Sequence, residues 1–89
     1  MKDRMHVTVL SLTQPLISIE NVLAIRIKSK KYNLLMMPNY MPVLGELEGN
    51  IEIESENKSI KYDNINGYYI QSKNEFTLIL REYDENRYN

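Results

Sequence analysis

The amino-acid sequence predicts a single all-β domain, and three observations lead to that prediction. Alanine, the strongest helix former, occurs once in 89 residues, whereas β-branched residues and tyrosine are frequent. Apolar and polar residues alternate with a period of two, and no segment has the apolar spacing of an amphipathic helix. About nine short segments follow one another at the spacing that is typical of a β-sandwich or a barrel.

Five short strands are predicted in the first half of the chain: His6–Leu12, Leu16–Ile19, Val22–Ser29, Leu34–Met37 and Val43–Leu47. In the third, the alternation places Leu23, Ile25 and Ile27 on one face, so we expect these side chains in the core. The fourth is apolar on both faces, which is typical of a covered strand. Pro38 and Pro42 then interrupt the most apolar part of the chain, and proline is confined to strand edges and bulges.

Four more strands are predicted in the second half: Ile51–Glu54, Ile60–Asp63, Tyr69–Ser72 and Phe76–Glu82. Leu78 and Leu80 share a face of the last strand, and we expect both in the core. Lys73-Asn74 separates the last two strands and predicts a hairpin turn. Asn66-Gly67 is typical of a hairpin turn when taken locally, but a bend or bulge with a positive φ at Gly67 fits the same residues. Residues 83–89 are polar and predict a fraying tail.

Length and charge bound the kind of protein. A chain of 89 residues suffices for one domain, 1–89, with one thin core. The absence of cysteine from the sequence excludes a disulfide framework and a thiol nucleophile. Eleven basic and 12 acidic residues give a net charge of −1, which indicates no polyanionic partner. The N-terminus has no signal-peptide pattern, and no segment has the ~20 apolar residues of a membrane span.

Residues with catalytic or metal-binding chemistry are sparse. His6 is the single histidine, and we expect it on the surface or in a cross-strand contact, because no acidic cluster at ligand spacing accompanies it. Glu52 and Glu54 alternate with isoleucines and predict the solvent-facing side of a strand. The sequence contains no glycine-rich loop for nucleotide phosphates and no nucleophile elbow. We therefore predict no catalytic residue, no metal site and no cofactor.

Two sets of residues suggest a binding surface. A small basic group beside Tyr32 consists of Arg26, Lys28, Lys30 and Lys31, and such a group on a small β-barrel can bind single-stranded nucleic acid or a peptide. The nearly balanced charge gives little drive for nucleic acid. The second set has the adaptable or amphipathic side chains that are common in protein interfaces, and it is equally compatible with core packing: Met36, Met37, Tyr40 and Met41.

The order of several segments resembles the epsilon subunit of F-type ATP synthase, which is called delta in mitochondria. The segment MMPNYMPVL is similar to that family's ILPNHAPLL-type segment. The opening strand HVTVLSLTQPLIS, the strand NVLAIRIKS, the segment LEGNIEIES and the hairpin INGYYIQSKNEFTLIL follow in the family's order. The resemblance covers residues 5–82 and rests on the order and spacing of these segments together.

This resemblance implies a fold and a role. The fold is a two-layer β-sandwich of nine to ten short strands, in which Asn66-Gly67 is a bend between strands. The role is that of a non-catalytic rotor subunit that binds the gamma shaft, and through it the alpha and beta head indirectly. By position, the gamma-facing residues are Ser11, Tyr40, Met41 and Val43. The loop that faces the membrane ring consists of Lys30, Lys31, Tyr32 and Asn33.

The sequence departs from the family's pattern at several positions. Tyr40 replaces the usual histidine, Tyr68 replaces one glycine of the usual pair, and Lys30 and Lys31 occupy a loop that is often acidic. The family's C-terminal helical hairpin has no counterpart in the sequence, so we expect a short form of the subunit without an ATP site. The expected location is peripheral, on the cytoplasmic face of the inner membrane or in a cytoplasmic motor complex.

Overall fold

The computed structural model describes residues 3–81 and confirms that they are all-β. It contains six strands: β1 (Met5–Leu10), β2 (Ile17–Ser29), β3 (Asn33–Met36), β4 (Val43–Ser55), β5 (Ser59–Ser72) and β6 (Glu75–Leu80). No helix occurs between residues 3 and 81. The predicted end of the last strand at Glu82 and the predicted tail, 83–89, lie outside the described residues.

Five of the strands close into a barrel. Their order is β1-β6-β5-β4-β2, and pairing of β1 with the first half of β2 closes the ring. β1 and β6 are parallel, and the other neighbouring pairs are antiparallel. The short strand β3 extends the sheet beyond the barrel by pairing with the second half of β2. A barrel with one additional strand therefore replaces the expected two-layer sandwich.

The predicted number of nine to ten short strands was wrong, because three long strands bend without ending. β2, β4 and β5 contain 13, 13 and 14 residues. Register shifts in β2 and β4 coincide with positive φ angles at Asn21 (57°) and Gly49 (155°), and β5 has a third positive φ at Asn64 (56°). A bulge bends a strand while the pairing continues, so a sequence break that predicts a turn is also compatible with a bulge.

The core fills the barrel with side chains from all six strands. Ile25, Ile27 and Leu78 are fully buried, as predicted. Leu23 is only half-buried, and the prediction for it was wrong: the bulge between Val22 and Ala24 changes the phase, so its two neighbours are buried instead. Leu80, at the end of β6, was also expected in the core, but it is only half-buried and packs against the core cluster. The other buried apolar residues are Met5, Val7, Val9, Ile19, Met36, Leu47, Ile51, Ile53, Tyr69 and Phe76.

Asn66-Gly67 is neither a hairpin turn nor a bend between strands, because both residues lie inside β5. Ile65 pairs with Gly49 and not with Tyr68, so the rejection of a hairpin was correct and the expected bend was wrong. Gly67 is needed for close approach: a Cβ atom there would overlap the carbonyl oxygen of Ile79 in β6. Local sequence does not distinguish this use of glycine from a turn.

The hairpin across Lys73-Asn74 was predicted correctly. Both residues have positive φ angles, 53° and 62°, which is the conformation of a two-residue type I′ turn. Ser72 pairs with Glu75 on either side of the turn. The turn also holds the start of the chain, since the His6 amide donates to the Asn74 carbonyl oxygen at 2.9 Å.

Candidate docking surface

The proline segment between β3 and β4 is fixed to the β5–β6 turn by asparagine side chains. Asn39 has a φ of 70°, and its amide donates to Asn74 Oδ1 at 2.6 Å. Asn74 Nδ2 donates in return to Asn39 Oδ1 at 3.1 Å. Tyr40 is consequently half-buried and packs against the core, whereas Met41 is 67% exposed. The two readings of this segment, interface and core filler, therefore apply to different residues in it.

The strands next to this segment form an outward face that carries apolar side chains. One row across β4, β5, β6 and β1 consists of Leu44, Ile70, Thr77 and Thr8. The next row consists of Glu46, Tyr68, Ile79 and Leu10. We call these eight positions the sheet face. Leu44 is 73% exposed and Ile70 is 46% exposed, although outward positions of an ordinary solvated sheet are polar.

The sheet face connects residues that the sequence placed apart. Met41 and Val43 precede Leu44 at one corner, and Ser11 follows Leu10 at the diagonally opposite corner. Four neighbouring strands at about 4.8 Å spacing separate the two corners by roughly 14 Å across the sheet. This distance follows the curved wall of the barrel, so a partner has to curve around the wall to contact both corners.

Sequence reasoning missed the apolar residues of the sheet face itself. The signal was present, because Leu44, Ile70 and Ile79 are apolar at positions that alternate with core residues. Apolar residues on both sides of a strand are typical of a strand that is covered on both faces. The pairing that brings them into adjacent rows joins four strands, and the sequence alone did not give that register.

One edge of the sheet face is charged. The Arg81 guanidinium carbon lies 5.1 Å from the centre of the Tyr68 ring, and the side chain also hydrogen-bonds the Tyr68 hydroxyl. Arg81 Nη2 is 4.0 Å from Glu46 Oε2. A charged margin beside an apolar centre is the usual composition of a protein interface.

The predicted ring-facing loop lies beside β4. Lys30, Lys31 and Asn33 are exposed, whereas Tyr32 is half-buried and packs against the core. Lys30 forms an ion pair with Glu48 at 3.0 Å, and its amide donates to the Glu48 carbonyl oxygen at 2.9 Å. Backbone and side-chain contacts therefore hold this loop against β4.

A chain of hydrogen bonds connects this loop to the barrel interior. The Tyr32 hydroxyl donates to the Glu46 carbonyl oxygen at 2.6 Å, so it accepts from the Tyr69 hydroxyl at 2.8 Å. Burial, and then the hydrogen bond to Tyr32, raise the pKa of Tyr69 well above its usual value. Gly45 provides the space for this arrangement, because a Cβ atom there would overlap the end of the Tyr69 ring.

The fold is similar to that of a chain from an ATP synthase central stalk. That chain belongs to the cryo-electron microscopy structure of the central stalk and c-ring of the mitochondrial ATP synthase from Tetrahymena thermophila. The superposition has a TM-score of 0.72 at 19% identity and covers 96% of this chain and 69% of that chain. No protein-family model matches the sequence, and no curated protein matches it. The likeness establishes the fold.

His6 and the acidic residues are the remaining groups that the sequence singled out for possible metal or catalytic chemistry. His6 makes a cross-strand contact, as predicted, with Nδ1 at 3.0 Å from Glu75 Oε1 and Nε2 at 2.6 Å from Ser18 Oγ. Within residues 3–81, no group of three or more His, Asp or Glu side chains is arranged to hold a metal ion. In the same range no helix is long and apolar enough to cross a membrane.

Proposed function

We propose that the protein is a non-catalytic rotor subunit of a rotary ATP synthase or ATPase, in the position of the epsilon subunit. It binds the gamma shaft through the sheet face. The observation that carries the proposal is an exposed apolar face across four strands, in a fold that is similar to a central-stalk chain. An apolar surface of this kind on a small domain indicates a protein partner.

The residues expected to face gamma surround the sheet face. Met41 extends it on the side of the proline segment, and Ser11 extends it beyond β1, whereas Val43 alternates with Leu44 and packs against the core. Tyr40 packs against the core, and its neighbour Met41 remains exposed beside the sheet face. Tyr40 therefore fixes the position of the segment that carries Met41. Large apolar and aromatic side chains at the centre of an interface contribute most of its binding free energy.

The predicted ring-facing loop (Lys30, Lys31, Tyr32 and Asn33), which we call the lysine loop, is proposed to contact the membrane ring. Lys30, Lys31 and Asn33 project from the barrel beside β4, and Tyr32 anchors them. In this arrangement the alpha and beta head is contacted only through gamma, and the protein is held at the membrane surface by its partners. The proposed location is the cytoplasmic face of the inner membrane, and the coupling role is carried by binding alone.

Nucleic-acid binding is not favoured by the arrangement of the basic residues. Arg26 Nη2 lies 3.8 Å from Glu54 Oε1, and Lys30 Nζ lies 3.0 Å from Glu48 Oε2. Acidic neighbours reduce the positive potential that attracts a phosphate backbone. Two of the four basic residues, Arg26 and Lys30, therefore have their charge offset by an acidic neighbour.

A pair of matched substitutions tests the proposal. Ile70 on the sheet face and Leu35 on β3 are both 46% exposed, so each tolerates a lysine with a similar effect on folding. Ile70→Lys should weaken binding to the purified gamma subunit of the same organism by about thirtyfold, which corresponds to ~2 kcal/mol at an interface centre. Leu35→Lys should bind as the unaltered protein does. Equal affinities for the two variants would contradict the proposed surface.

A further inference from the structure

The first half of β4 has an edge that is not paired with any strand between residues 3 and 81. β5 pairs with one side of β4 along its whole length, but β2 pairs with the other side only from Gly49 onward. No strand among residues 3–81 pairs with that other side of Val43–Leu47. An unpaired strand edge presents backbone donors and acceptors that favour pairing with another strand.

The backbone groups on this edge can be assigned from the neighbouring contacts. Glu48 directs both its amide and its carbonyl oxygen away from β5, toward Ser29 Oγ and the Lys30 amide. Backbone groups alternate sides along a strand, so those of Glu46 and Leu44 point to the same side. The Glu46 carbonyl oxygen accepts from Tyr32. The Leu44 amide, the Leu44 carbonyl oxygen and the Glu46 amide remain at the open edge.

This edge lacks the features that keep strand edges from pairing. Among residues 3–81, the first half of β5 also has an open edge, but it carries the charged residues Lys61 and Asp63 and a positive φ at Asn64. Charges and backbone irregularities on an edge disfavour pairing with another strand. Val43–Leu47 has instead a regular ladder to β5 and an apolar side chain, Leu44, at its centre. Of these two edges, that of Val43–Leu47 is the one suited to accept a strand.

A groove beside the edge indicates what kind of segment fits. It has a volume of about 410 Å³ and is lined by the lysine loop, Tyr69 and residues Leu44–Glu46 of β4. Lys30 is paired with Glu48, and Arg81 is close to Glu46, whereas Lys31 takes part in no ion pair within residues 3–81. Of the two lysines that line the groove, Lys31 is therefore the one with no acidic side chain at ion-pair distance among residues 3–81.

We propose that Val43–Leu47 accepts an extended segment of the gamma shaft as an added β-strand, with an acidic residue of that segment near Lys31. This inference rests on the proposed function and adds the mode of binding. Leu44 belongs to both surfaces, since its side chain lies on the sheet face and its backbone forms the open edge. Main-chain hydrogen bonds supply affinity in such strand addition, and neighbouring side chains supply specificity.

Two substitutions at one position separate strand addition from side-chain packing. Leu44→Ala shortens the apolar side chain and keeps the backbone amide. Leu44→Pro removes the amide, which β4 does not use in its pairing with β5, and keeps an apolar ring. Binding of both purified full-length variants to the gamma subunit of the same organism is measured by titration, and their melting temperatures are compared. We expect Leu44→Pro to bind at least tenfold more weakly than Leu44→Ala.

Amide exchange provides a second measurement that does not depend on the folding of a proline variant. In the complex of the unaltered proteins, the Leu44 and Glu46 amides should become protected from exchange. Unchanged exchange at both amides, or equal affinity of the two Leu44 variants when both are folded, overturns strand addition. If Ile70→Lys weakens binding while these results are negative, docking on the sheet face stands without the added strand. If Ile70→Lys also binds normally, the proposed function itself fails.

Discussion

Replacement of Gly45 by alanine is expected to destabilise the domain strongly, because Gly45 faces the end of the Tyr69 ring. The added Cβ atom would overlap the ring tip and would lie 2.9 Å from Cε2. Tyr69 is 2% exposed and stacks on Phe76 with ring centres 5.5 Å apart, so it cannot rotate into solvent without losing that contact. The Tyr69 hydroxyl is also held by Tyr32.

The size of the effect follows from three contributions. Overpacking of a core position costs about 1–3 kcal/mol. Loss of the Tyr32–Tyr69 hydrogen bond costs about 1 kcal/mol. Alanine also reduces the conformational entropy of the unfolded chain relative to glycine, which stabilises the folded state by about 0.5 kcal/mol. The net loss in the free energy of unfolding is about 2.5 kcal/mol, which lowers the melting temperature of a domain of this size by about 10–20 °C.

Urea and thermal unfolding, followed by circular dichroism, measure this loss. The control is the same substitution in a Tyr69→Leu background, where the ring tip is absent and Gly45→Ala should cost less than about 0.5 kcal/mol. The difference between the two backgrounds measures the coupling of the two positions. A loss below about 0.5 kcal/mol in the unaltered background, or equal losses in both, would refute the reasoning.

Three further predictions concern the proline segment, the pH dependence and nucleotide binding. Tyr40→Ala should weaken binding to gamma far more than Lys31→Ala, because charges at the rim of an interface act mainly through association rate and salt dependence. If the Tyr40→Ala domain no longer folds, Tyr40 is a core residue and not an interface residue. Burial raises the pKa of Tyr69, so Tyr69 in the unfolded chain ionises first. Its contribution to stability is constant below about pH 10 and is lost as the pH rises above that value. Tyr69→Phe should make that decline shallower in denaturation curves, and an unchanged slope would contradict the assignment. Millimolar ATP should leave the melting temperature unchanged, and a rise of several degrees would show an ATP site.

The strand content was predictable because it depends on local patterns. Alternation around Ile25 and Ile27 and around Phe76 and Leu78 identified strands that the structure contains. Lys73-Asn74 was identified as a turn because it separates two alternating segments by two residues. These signals lie within a few residues of one another, so a single sequence displays them.

The number of strands and the docking surface were not predictable in the same way. Asn21, Gly49 and Asn64 adopt positive φ angles inside long strands, and the same residue types occur in turns. The sheet face depends on the pairing of Leu44 with Ile70 and on the parallel pairing of β1 with β6, which joins distant parts of the chain. Register between distant strands is set by the whole fold, so local sequence does not reveal which outward residues become neighbours.

Affinity purification of the tagged protein from its own cells tests the central claim most directly. If the protein is a rotor subunit, it should purify in mild detergent with the gamma, alpha and beta subunits in a fixed ratio, and gamma should be the last to dissociate as the complex is taken apart. The Ile70→Lys variant, folded by circular dichroism, should purify without them. Recovery of the folded, unaltered protein without gamma, or with nucleic acid in its place, would contradict the account.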